Sequence, residues 1–590
     1  MLTDKQLTPF DATTKENVSN WLKGNYDAET KEQIVKLVKE NPQEITNSFY
    51  TKMAFGTGGM RGIMGVGTNR INQYTVRAAT QGLANYIAKQ EPKPSGHAVF
   101  ISHDSRNRSR YFAEETAKVL AANGIKAYIT RELRPTPLVS YGCRHYHCTA
   151  AVMITASHNP PEYNGYKVYW SDGGQVTTPH DSGIIDEVNA IADASTVKTT
   201  DFDHPLIQLV GHEIDEAYYD TIKELQHYPQ DNHKHGKELH VVFTPLHGTG
   251  ITMVPHALKQ WGFTTLIHVD SQKEPDGNFP TTNTPNPEER AALQEGIDTM
   301  NEHKADILLA TDPDADRVGI AVRHDDDVVL LNGNEIACLC LEHICQALTK
   351  QNRMPENSAF IKTIVTTELF QAIAAAYDKP CFNVLTGFKH IAKVMLEWEQ
   401  NGGYQYLFGG EESYGYLLGT HARDKDAVIS CALICEVALQ AKRQGLTLVN
   451  KLHELYGKYG VYREKLLSVA FEDSKAGKEQ MEKAMATLRQ TPPTTINKIE
   501  VITQEDYQTS TSLELATKDT TPITLPKSNV LLFWLADGSK VVVRPSGTEP
   551  KIKLYCGVKQ EVAGTVDDTI ASCDKRANGY LDTMKKQLLG

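Results

Sequence analysis

Residues 97–130 of the chain read HAVFISHDSRNRSRYFAEETAKVLAANGIKAYIT. An apolar stretch is followed by a polar turn, an amphipathic helix, a glycine and a second apolar stretch. Asn123-Gly124 is a typical helix stop. Four residues share one helix face because they lie at i, i+4, i+7 and i+8: Phe112, Thr116, Val119 and Leu120. The pattern therefore predicts a strand–helix–strand unit.

The same pattern occurs twice more. Residues 240–269 read HVVFTPLHGTGITMVPHALKQWGFTTLIHV, and residues 358–387 read SAFIKTIVTTELFQAIAAAYDKPCFNVLTG. Strand–helix–strand units of this length predict parallel sheets with right-handed crossovers. Three such units, spread over most of the chain, predict three similar mixed α/β domains. Their spacing is far too long for a stacked-repeat protein.

The last part of the chain lacks this pattern. We predict a helix over residues 475–490, a hairpin turn at Asp537-Gly538 and a final helix over residues 567–589. Together these elements indicate a C-terminal α+β domain. A chain of 590 residues has room for about four domains. We place the domains at 1–205, 206–326, 327–455 and 456–590.

The overall composition is that of a soluble globular protein, with 40% hydrophobic and 23% charged residues. The formal net charge of −12 argues against general binding to nucleic acid or to an anionic membrane. The N-terminal residues have no basic start followed by an apolar stretch, so we expect no secretory signal and a cytoplasmic location. None of the ten cysteines lies in a CxxC pattern or at zinc-finger spacing, so we expect reduced, mostly buried thiols.

A serine lies where an apolar strand gives way to a loop. Residues 152–161 read VMITASHNPP, in which the strand ends at Ser157 and Asn-Pro-Pro forces a loop. Strand ends in α/β domains are where functional sites lie, and an oriented, deprotonated serine there is a nucleophile. The alternative is a serine that only stabilises its own turn. Lys167 follows closely enough in sequence for its side chain to lie in the same cleft. The alternative is a solvated surface lysine.

Three alternating carboxylates follow the apolar residues 307–310, in the stretch TDPDADR. Asp312, Asp314 and Asp316 would repel one another without a cation. Hard oxygen ligands at this density suit Mg²⁺. The alternative is a solvated acidic turn, which we predict for the nearby residues 325–327.

Three further stretches offer binding groups. Residues 409–415, GGEESYG, combine glycines that permit close backbone approach with acceptors for sugar hydroxyls. Residues 544–551, RPSGTEPK, combine an arginine, two hydroxyls and a glycine-containing backbone, which suit a phosphate cradle; the alternative is an ordinary turn. Residues 55–62, FGTGGMRG, fit neither GxxxxGK[ST] nor GxGxxG, so a nucleotide site is not supported.

Together these groups indicate phosphoryl transfer. A serine nucleophile, a metal held by carboxylates, a hydroxyl-binding loop and a phosphate cradle can pass a phosphoryl group between sugar oxygens while its charge is neutralised. The sequence offers no second metal site and no histidine-rich metal set, so a two-metal phosphatase is less well supported.

The chain resembles the α-D-phosphohexomutase superfamily, and within it the phosphoglucomutase/phosphomannomutase branch. The resemblance covers roughly residues 50–560 and rests on four motifs in the family's order: TASHNP, DPDADR, GEES and RPSGTEPK. It implies four domains in a heart-shaped arrangement around a central cleft, three alike and the fourth different. It also implies that the fourth domain moves, since both ends of the sugar must fit one cradle.

The resemblance implies a role for each motif. Ser157 would carry the phosphoryl group. One Mg²⁺ would be bound by Ser157, Asp312, Asp314 and Asp316. The catalytic set, with the histidine next to the serine included, would be Ser157, His158, Lys167, Arg61 and Arg317. The substrate-binding set would be Glu411, Ser413, Lys389 (in TGFKH), Arg544, Ser546, Gly547 and Thr548.

By the same resemblance, the reaction would interconvert glucose 1-phosphate and glucose 6-phosphate. Phospho-Ser157 would give its group to the monophosphate, and glucose 1,6-bisphosphate would be both intermediate and activator. We expect weaker action on mannose phosphates. We also expect sugar phosphates as partners, no nucleic acid or membrane partner, and a monomer or a weak homodimer.

One position departs from the family pattern. Some family members have a histidine two residues after the sugar-loop serine, where this chain has Gly415. General base work therefore cannot be assigned to that position. We assign it to Lys167, with Arg61 and Arg317 as alternatives.

The rival functions are a phosphopentomutase, a sugar-bisphosphate synthase and a non-catalytic sugar-phosphate sensor on the same fold. The intact Ser157 and the three aspartates of the metal motif count against a sensor.

Overall fold

The computed structural model describes residues 4–56, 58–472, 475–546 and 551–589. Its strands form four sheets, of which the first three are built around parallel strands and the last is antiparallel. The chain divides into two compact units. The first comprises the chain up to Leu331 with Ala392–Gly403 and Tyr414–Leu439. The second comprises Asn332–Ile391, Tyr404–Ser413 and the chain from Gln440 onward.

The first sheet is built around the first repeat. Up to Val210 the helices are α1 (Asp4–Leu7), α2 (Ala12–Lys23), α3 (Ala28–Glu40), α4 (Pro42–Phe49), α5 (Gln73–Ala88), α6 (Ser109–Ala122), α7 (Thr136–His145) and α8 (His180–Asn189). The strands are β1 (Gly59–Ile63), β2 (Ala98–His103), β3 (Lys126–Thr130), β4 (Ala150–Ile154), β5 (Tyr163–Trp170) and β6 (Ile207–Val210). The sheet order is β1-β5-β4-β2-β3-β6, with β1 and β5 antiparallel to their neighbours. The predicted unit of residues 97–130 is β2, α6 and β3, and it is confirmed.

Strand β4 runs through the middle of this sheet between β2 and β5. All five of its residues are buried, as is typical of a strand covered by helices on both faces. The four residues predicted to share one face of α6 are also fully buried. The end of β4, which leads to Ser157, is therefore fixed in a closely packed core.

Helices α2, α3 and α4 precede the first sheet along the chain and pack in a layer of their own. Trp21 stacks on Tyr26 with 4.3 Å between the ring centroids, and both pack near Tyr74 at the start of α5. Asp27 begins α3 by accepting a hydrogen bond from the backbone N–H of Thr30. These contacts attach the layer to the first sheet.

The second sheet repeats the arrangement. Its strands are β7 (Val241–Thr244), β8 (Leu266–His268), β9 (Ile307–Thr311), β10 (Val318–His324) and β11 (Asp327–Leu331). The helices of this part are α9 (Glu213–Lys223), α10 (Pro229–His235), α11 (Gly250–Gln260) and α12 (Arg290–Glu302). The second repeat is β7, α11 and β8, and its two strands are parallel, as predicted. The acidic residues 325–327 are exposed at the turn between β10 and β11, which confirms the predicted solvated turn.

The third repeat is also confirmed. The next strands are β12 (Ser358–Thr363), β13 (Cys381–Val384), β14 (Gln405–Glu411) and β15 (Gly415–Leu418). The helices are α13 (Gly333–Lys350), α14 (Glu368–Ala376), α15 (Phe388–Asn401), α16 (Ala427–Arg443) and α17 (Leu448–Tyr459). Strands β13, β12 and β14 are parallel neighbours, and α14 connects β12 to β13.

The C-terminal sheet is antiparallel. Its strands are β16 (Val461–Ala470), β17 (Thr495–Ile496), β18 (Ile499–Asp506), β19 (Thr511–Glu514), β20 (Thr520–Pro522), β21 (Leu531–Leu535), β22 (Lys540–Pro545) and β23 (Lys551–Gln560). The helices are α18 (Lys475–Gln490) and α19 (Val566–Leu589), as predicted. The predicted hairpin joins β21 to β22, and Gly538 supplies the left-handed turn position with a φ of +79°.

The predicted domain boundaries at 205/206 and 326/327 fall just before β6 and β11. Strand β6 pairs with β3 of the first sheet, and β11 pairs with β10 of the second. The boundaries themselves stay predictions. Nine of the ten cysteines are buried and Cys381 is half-buried, as expected. Across the described ranges, no helix combines the length and apolar character needed to cross a membrane.

Candidate active site

Ser157 lies just beyond the end of β4 and is only 3% exposed. Its φ of +53° is in the left-handed region, which costs a residue other than glycine about 1–3 kcal/mol. Thr155 supports this conformation, because its Oγ1 accepts a hydrogen bond from the Ser157 N–H at 2.8 Å. Strained backbone of this kind clusters at active sites.

The Ser157 hydroxyl has two polar neighbours. It donates to Asp312 Oδ2 at 2.8 Å and lies 3.2 Å from Nδ1 of His158. Desolvation lowers the pKa of His158 well below its usual range, and the charges of Arg317 and Arg61 act in the same direction. His158 is therefore neutral at pH 7 and is a weak base beside the serine oxygen.

The three predicted metal ligands follow β9 and are buried. Asp312, Asp314 and Asp316 are at most 2% exposed, and one carboxylate oxygen of each lies within 4.8 Å of the others. Oδ1 of Asp314 and Oδ1 of Asp316 are buried and accept no hydrogen bond from any residue that the structure describes. Buried polar atoms are normally paired. This donor set therefore fits a hard divalent cation.

The charges of these carboxylates are unequal. Burial and the neighbouring carboxylates raise the pKa of Asp312 well above its usual range. Burial acts in the same direction on Asp314 and Asp316. The ammonium group of Lys167 outweighs burial at Asp314, and those of Lys425 and Lys167 outweigh it at Asp316. The pKa values of Asp314 and Asp316 are therefore lowered, and both carboxylates are charged at neutral pH.

Lys167 reaches the acidic loop from β5. Its Nζ lies 2.7 Å from Asp314 Oδ2 and 3.3 Å from Asp316 Oδ2. Burial lowers the pKa of Lys167, but these two carboxylates outweigh burial, so the pKa is raised. In the register of β1 and β5, Gly165 lies opposite Arg61, which puts Arg61 and Lys167 on one face of the sheet.

Two arginines complete the predicted catalytic set. Arg61 donates through Nη1 to Asn159 Oδ1 at 2.9 Å. Arg317 donates its backbone N–H to Asp312 Oδ1 at 3.1 Å, and its guanidinium pairs with Glu288 at 2.6 Å. The structure therefore gathers the predicted nucleophile, carboxylates and basic groups around one loop.

Lys425 is a site residue that the sequence reasoning missed. Its Nζ lies 3.1 Å from Asp316 Oδ2 and 3.2 Å from Asp424 Oδ1. A Cβ added to Gly415 would lie 2.0 Å from Cδ of Lys425. The lysine therefore fills the space that a side chain at position 415 would need, which explains the glycine there.

The only sequence signal for Lys425 was the charged run RDKD, residues 423–426, ahead of the apolar helix α16. Thr136 was also missed. It donates through Oγ1 to Asp314 Oδ2 at 2.7 Å from the start of α7. Nothing in its local sequence marks it as a partner of a carboxylate far along the chain.

The second unit contains the predicted sugar-binding residues. Glu411 ends β14, is 4% exposed, and accepts a hydrogen bond from the Gly387 N–H at 2.8 Å. This contact joins the GEES loop to the TGFKH segment, in which Lys389 lies at the start of α15. Ser413 is half-buried.

Arg544 lies in β22 and is half-buried. Burial raises the pKa of Tyr555 to about 12; nearby Glu412 acts in the same direction and Arg544 opposes it. Tyr555 is thus a neighbour of both the sugar-loop glutamate and the arginine of the phosphate-binding motif. Ser546 donates its N–H to the carbonyl of Lys551 at 2.8 Å. The other two predicted residues of this motif lie outside the described residues: Gly547 and Thr548.

Three domain families match the chain. They are described as phosphoglucomutase/phosphomannomutase alpha/beta/alpha domain I, over residues 52–195, domain II, over 216–325, and domain III, over 332–459. A phosphoglucomutase from Staphylococcus epidermidis is 36% identical over 563 residues, covering 94% of this chain and 99% of that protein. A phosphoglucomutase from Staphylococcus aureus is 35% identical over 548 residues, covering 91% and 95%.

Two crystal structures are similar in fold. A phosphoglucomutase/phosphomannomutase family protein from Burkholderia thailandensis has a TM-score of 0.63 at 16% identity, covering 91% of this chain and 97% of that chain. Parafusin, a phosphoglucomutase from Paramecium in its open form, has a TM-score of 0.65 at 17% identity, covering 91% and 96%. At these identities the likeness supports the fold alone.

Proposed function

Because the chain belongs to the phosphoglucomutase/phosphomannomutase family, we propose that it interconverts α-D-glucose 1-phosphate and glucose 6-phosphate through a phosphorylated Ser157. The observation that carries the proposal is the buried Ser157 hydroxyl, 2.8 Å from the carboxylate of Asp312. A serine that only stabilised its own turn would bond a nearby backbone atom. Its partner here lies 155 residues further along the chain.

A phosphoryl group on Ser157 would add about 1.5–2 negative charges beside three carboxylates. Such a group can form there only if cations balance it. Four basic side chains lie at the site: Lys167, Lys425, Arg61 and Arg317. They supply part of the balance, and they would hold the phosphoryl oxygens in a fixed orientation.

A divalent ion would supply the remainder. We propose that Asp312, Asp314 and Asp316, together with the phosphorylated Ser157, hold one Mg²⁺ per chain. Two buried carboxylate oxygens of this loop accept no hydrogen bond within the described part of the chain, which supports the assignment. When bound, the ion would neutralise negative charge on the transferring phosphoryl group.

Proton transfer needs two kinds of group. The attacking sugar hydroxyl must lose a proton, and Ser157 Oγ must regain one when its phosphoryl group leaves. Lys167 has a raised pKa and stays protonated, so it suits a proton donor better than the general base that the sequence predicts. His158 Nδ1 lies 3.2 Å from Oγ, but the lowered pKa of this ring makes it a weak proton acceptor. Lys425 fills the space beside Gly415 and is our second proton-transfer candidate.

The second unit would bind the rest of the substrate. We propose that Glu411, Ser413 and Lys389 contact sugar hydroxyls. The phosphate that is not being transferred would be bound by Arg544 and Ser546, together with Gly547 and Thr548 outside the described residues. The contact of Glu411 with the TGFKH segment, and the position of Tyr555 between Glu412 and Arg544, support this division.

Two consequences follow for ligands. Glucose 1,6-bisphosphate would be the intermediate and would activate the enzyme by phosphorylating Ser157. Arg544→Ala should weaken binding of the 1-phosphate and the 6-phosphate alike, by about ten- to a hundred-fold, since a hydrogen bond to a charged group contributes about 1.5–3 kcal/mol. Weakening of one isomer alone would mean separate phosphate sites. The oligomeric state, a monomer or a weak homodimer, stays a prediction.

The test is kcat/KM on the 1-phosphates of glucose, mannose, glucosamine and ribose, for wild type and Glu411→Gln. We expect glucose first, mannose second and ribose last, because a site built for a hydroxyl discriminates strongly against its absence. Glu411→Gln should lower the rates and compress the ranking. Glu356→Gln, at an exposed position of the same unit, is the control and should change neither.

Other outcomes of this assay would identify the rivals. Ribose 1-phosphate as the best substrate would indicate a phosphopentomutase. Accumulation of bisphosphate would indicate a synthase, and binding of sugar phosphates without any turnover would indicate a sensor.

A further inference from the structure

Arg106 is a buried arginine with no part in the chemistry described above. Its side chain is completely shielded from solvent, and it lies in the turn between β2 and α6. Nη1 donates to the carbonyls of Pro160 at 2.8 Å and Tyr163 at 3.1 Å. Nη2 donates to the carbonyl of Ser157 at 2.5 Å and to the carbonyl of Asn159. One guanidinium therefore holds four carbonyl oxygens of the loop that carries the nucleophile.

The guanidinium is itself held in place. Its Nε lies 3.3 Å from Oδ2 of Asp104, whose side chain is also fully buried. The other oxygen of Asp104 accepts from the Arg106 N–H at 2.9 Å and from the Ser109 hydroxyl at 2.7 Å. The centroid of the Phe279 ring lies 5.0 Å from the guanidinium carbon of Arg106. The orientation of Arg106 is therefore fixed by its surroundings and not by the loop alone.

The loop needs such a donor. Ser157 is held at a φ of +53°, a conformation that persists only where neighbouring contacts determine it. The carbonyl of Ser157 belongs to the same residue as the reacting hydroxyl, so a hydrogen bond to that carbonyl fixes the direction of the Cα–Cβ bond. A lysine at position 106 would keep the charge but lose the planar fork that reaches several carbonyls at once.

We infer that Arg106 is a positioning residue that sets Ser157 in the geometry required for phosphoryl transfer. The inference rests on the proposed role of Ser157 as phosphoryl carrier. It predicts a kinetic effect without a binding effect, because the four hydrogen bonds that the Arg106 guanidinium donates within the described residues all end on carbonyls of the Ser157 loop.

The central variant is Arg106→Lys. A displacement of about 1 Å at a reacting group costs about a hundredfold in rate. We therefore expect kcat for glucose 1-phosphate to fall about a hundredfold while KM stays within about threefold. The single-turnover rate of Ser157 phosphorylation by glucose 1,6-bisphosphate should fall in parallel. If Arg106 only stabilised the fold, Arg106→Lys would lower the melting temperature without lowering kcat more than it changes KM.

Arg70→Lys is the matched control. Arg70 is also buried, at 6% exposed, and its guanidinium donates to two carbonyls and a carboxylate. Its partners are Glu44, Asn47 and Asn69, ahead of α5 and away from the Ser157 loop. We expect a comparable loss of thermal stability and an unchanged kcat.

The outcomes separate this inference from the proposed function. If Ser157→Ala is active, the proposed function fails. If Ser157→Ala is inactive but folded Arg106→Lys keeps the wild-type kcat, or loses no more than Arg70→Lys, the inference alone is overturned. If Arg106→Lys does not fold, Asp104→Asn decides. It removes the charge partner of Arg106, and the inference requires kcat to fall more than KM changes; an unchanged kcat in that variant overturns it.

Discussion

Two acidic triplets of this chain each consist of three aspartates and lie close together in sequence, yet they differ in almost every structural respect. Asp312, Asp314 and Asp316 follow a buried strand and are at most 2% exposed. The second triplet, residues 325–327, is exposed at a hairpin turn. The first has half-buried lysine partners and a buried hydroxyl partner from distant segments, and the second lies in solvent.

The difference shows what turns an acidic run into a site. The three carboxylates of the first triplet converge, whereas the residues of the second triplet are exposed at a hairpin turn. The lysines that balance the first triplet come from β5 and from the segment before α16. Carboxylates become a binding site when the fold removes them from water and supplies cations. Burial of this kind has a desolvation cost and is typical of functional sites.

The largest effect that would test this comparison is expected from Asp314→Asn. Loss of one ligand and its charge should remove several kcal/mol of transition-state stabilisation, which is about a thousandfold or more in kcat. The variant should also lose the response to Mg²⁺ that the wild type shows after chelation. The measurement is initial rate against Mg²⁺ concentration in metal-depleted buffer.

Asp326→Asn is the control within the second triplet and should behave as wild type. Equal losses in the two variants would mean that net charge alone, and not the buried site, accounts for the effect. Full wild-type activity in excess chelator would contradict the metal assignment.

Lys425→Met is expected to have the next largest effect. Removal of this ammonium leaves Asp316 with less compensation and removes a proton-transfer candidate, so kcat should fall about a hundredfold. The control is Lys273→Met, whose ammonium contacts Asp270 at 2.9 Å on the surface. Exposed pairs of this kind contribute little, so its activity should be unchanged. Similar activity in both variants would remove Lys425 from the site.

Gly415→Ala should have a smaller effect of the same kind. The new Cβ would lie 2.0 Å from Cδ of Lys425, so the lysine must shift away from Asp316. We expect kcat to fall about tenfold, since misplacement costs less than removal. Gly457→Ala in α17 is the control, because a Cβ there meets nothing within 4 Å. A double variant, Gly415→Ala with Lys425→Met, should be no worse than Lys425→Met alone; additive losses would exclude this mechanism.

The smallest effect is expected when all three residues of the second triplet, 325–327, are changed to Asn. Their side chains are exposed, so the free energy of unfolding should change by no more than about 0.5 kcal/mol per position. Activity should stay within about twofold of wild type. Urea denaturation and the standard rate assay measure both quantities, and a large loss in either would show that this turn has a role the structure does not suggest.

The fold could be predicted from the sequence to a large extent because its signals are local. The three strand–helix–strand units, the hairpin at Asp537-Gly538 and the two C-terminal helices each depend on residues within one short stretch. Ser157 and the first acidic triplet could be singled out for the same reason. Each follows an apolar strand directly.

The remainder of the site depends on contacts between distant segments. Lys425, Thr136 and Arg106 have no local pattern that relates them to residues 155–163 or 312–316, and only folding brings them there. The effect that favours Lys167 as a proton donor is also long-range. The carboxylates of Asp314 and Asp316, which raise the pKa of Lys167, approach it from another sheet.

The central claim is that Ser157 carries the phosphoryl group, and the most direct test is to locate the phosphate. Wild type and Ser157→Ala would be incubated with glucose 1,6-bisphosphate and Mg²⁺, then examined by intact and peptide mass spectrometry. We expect one phosphoryl group in wild type, on Ser157. Added glucose 1-phosphate should take this group to form the bisphosphate, and Ser157 should regain a phosphoryl group when glucose 6-phosphate leaves. We expect no phosphoryl group in Ser157→Ala, which should be folded and inactive. A phosphoryl group on another residue, or turnover by Ser157→Ala, would contradict the central claim.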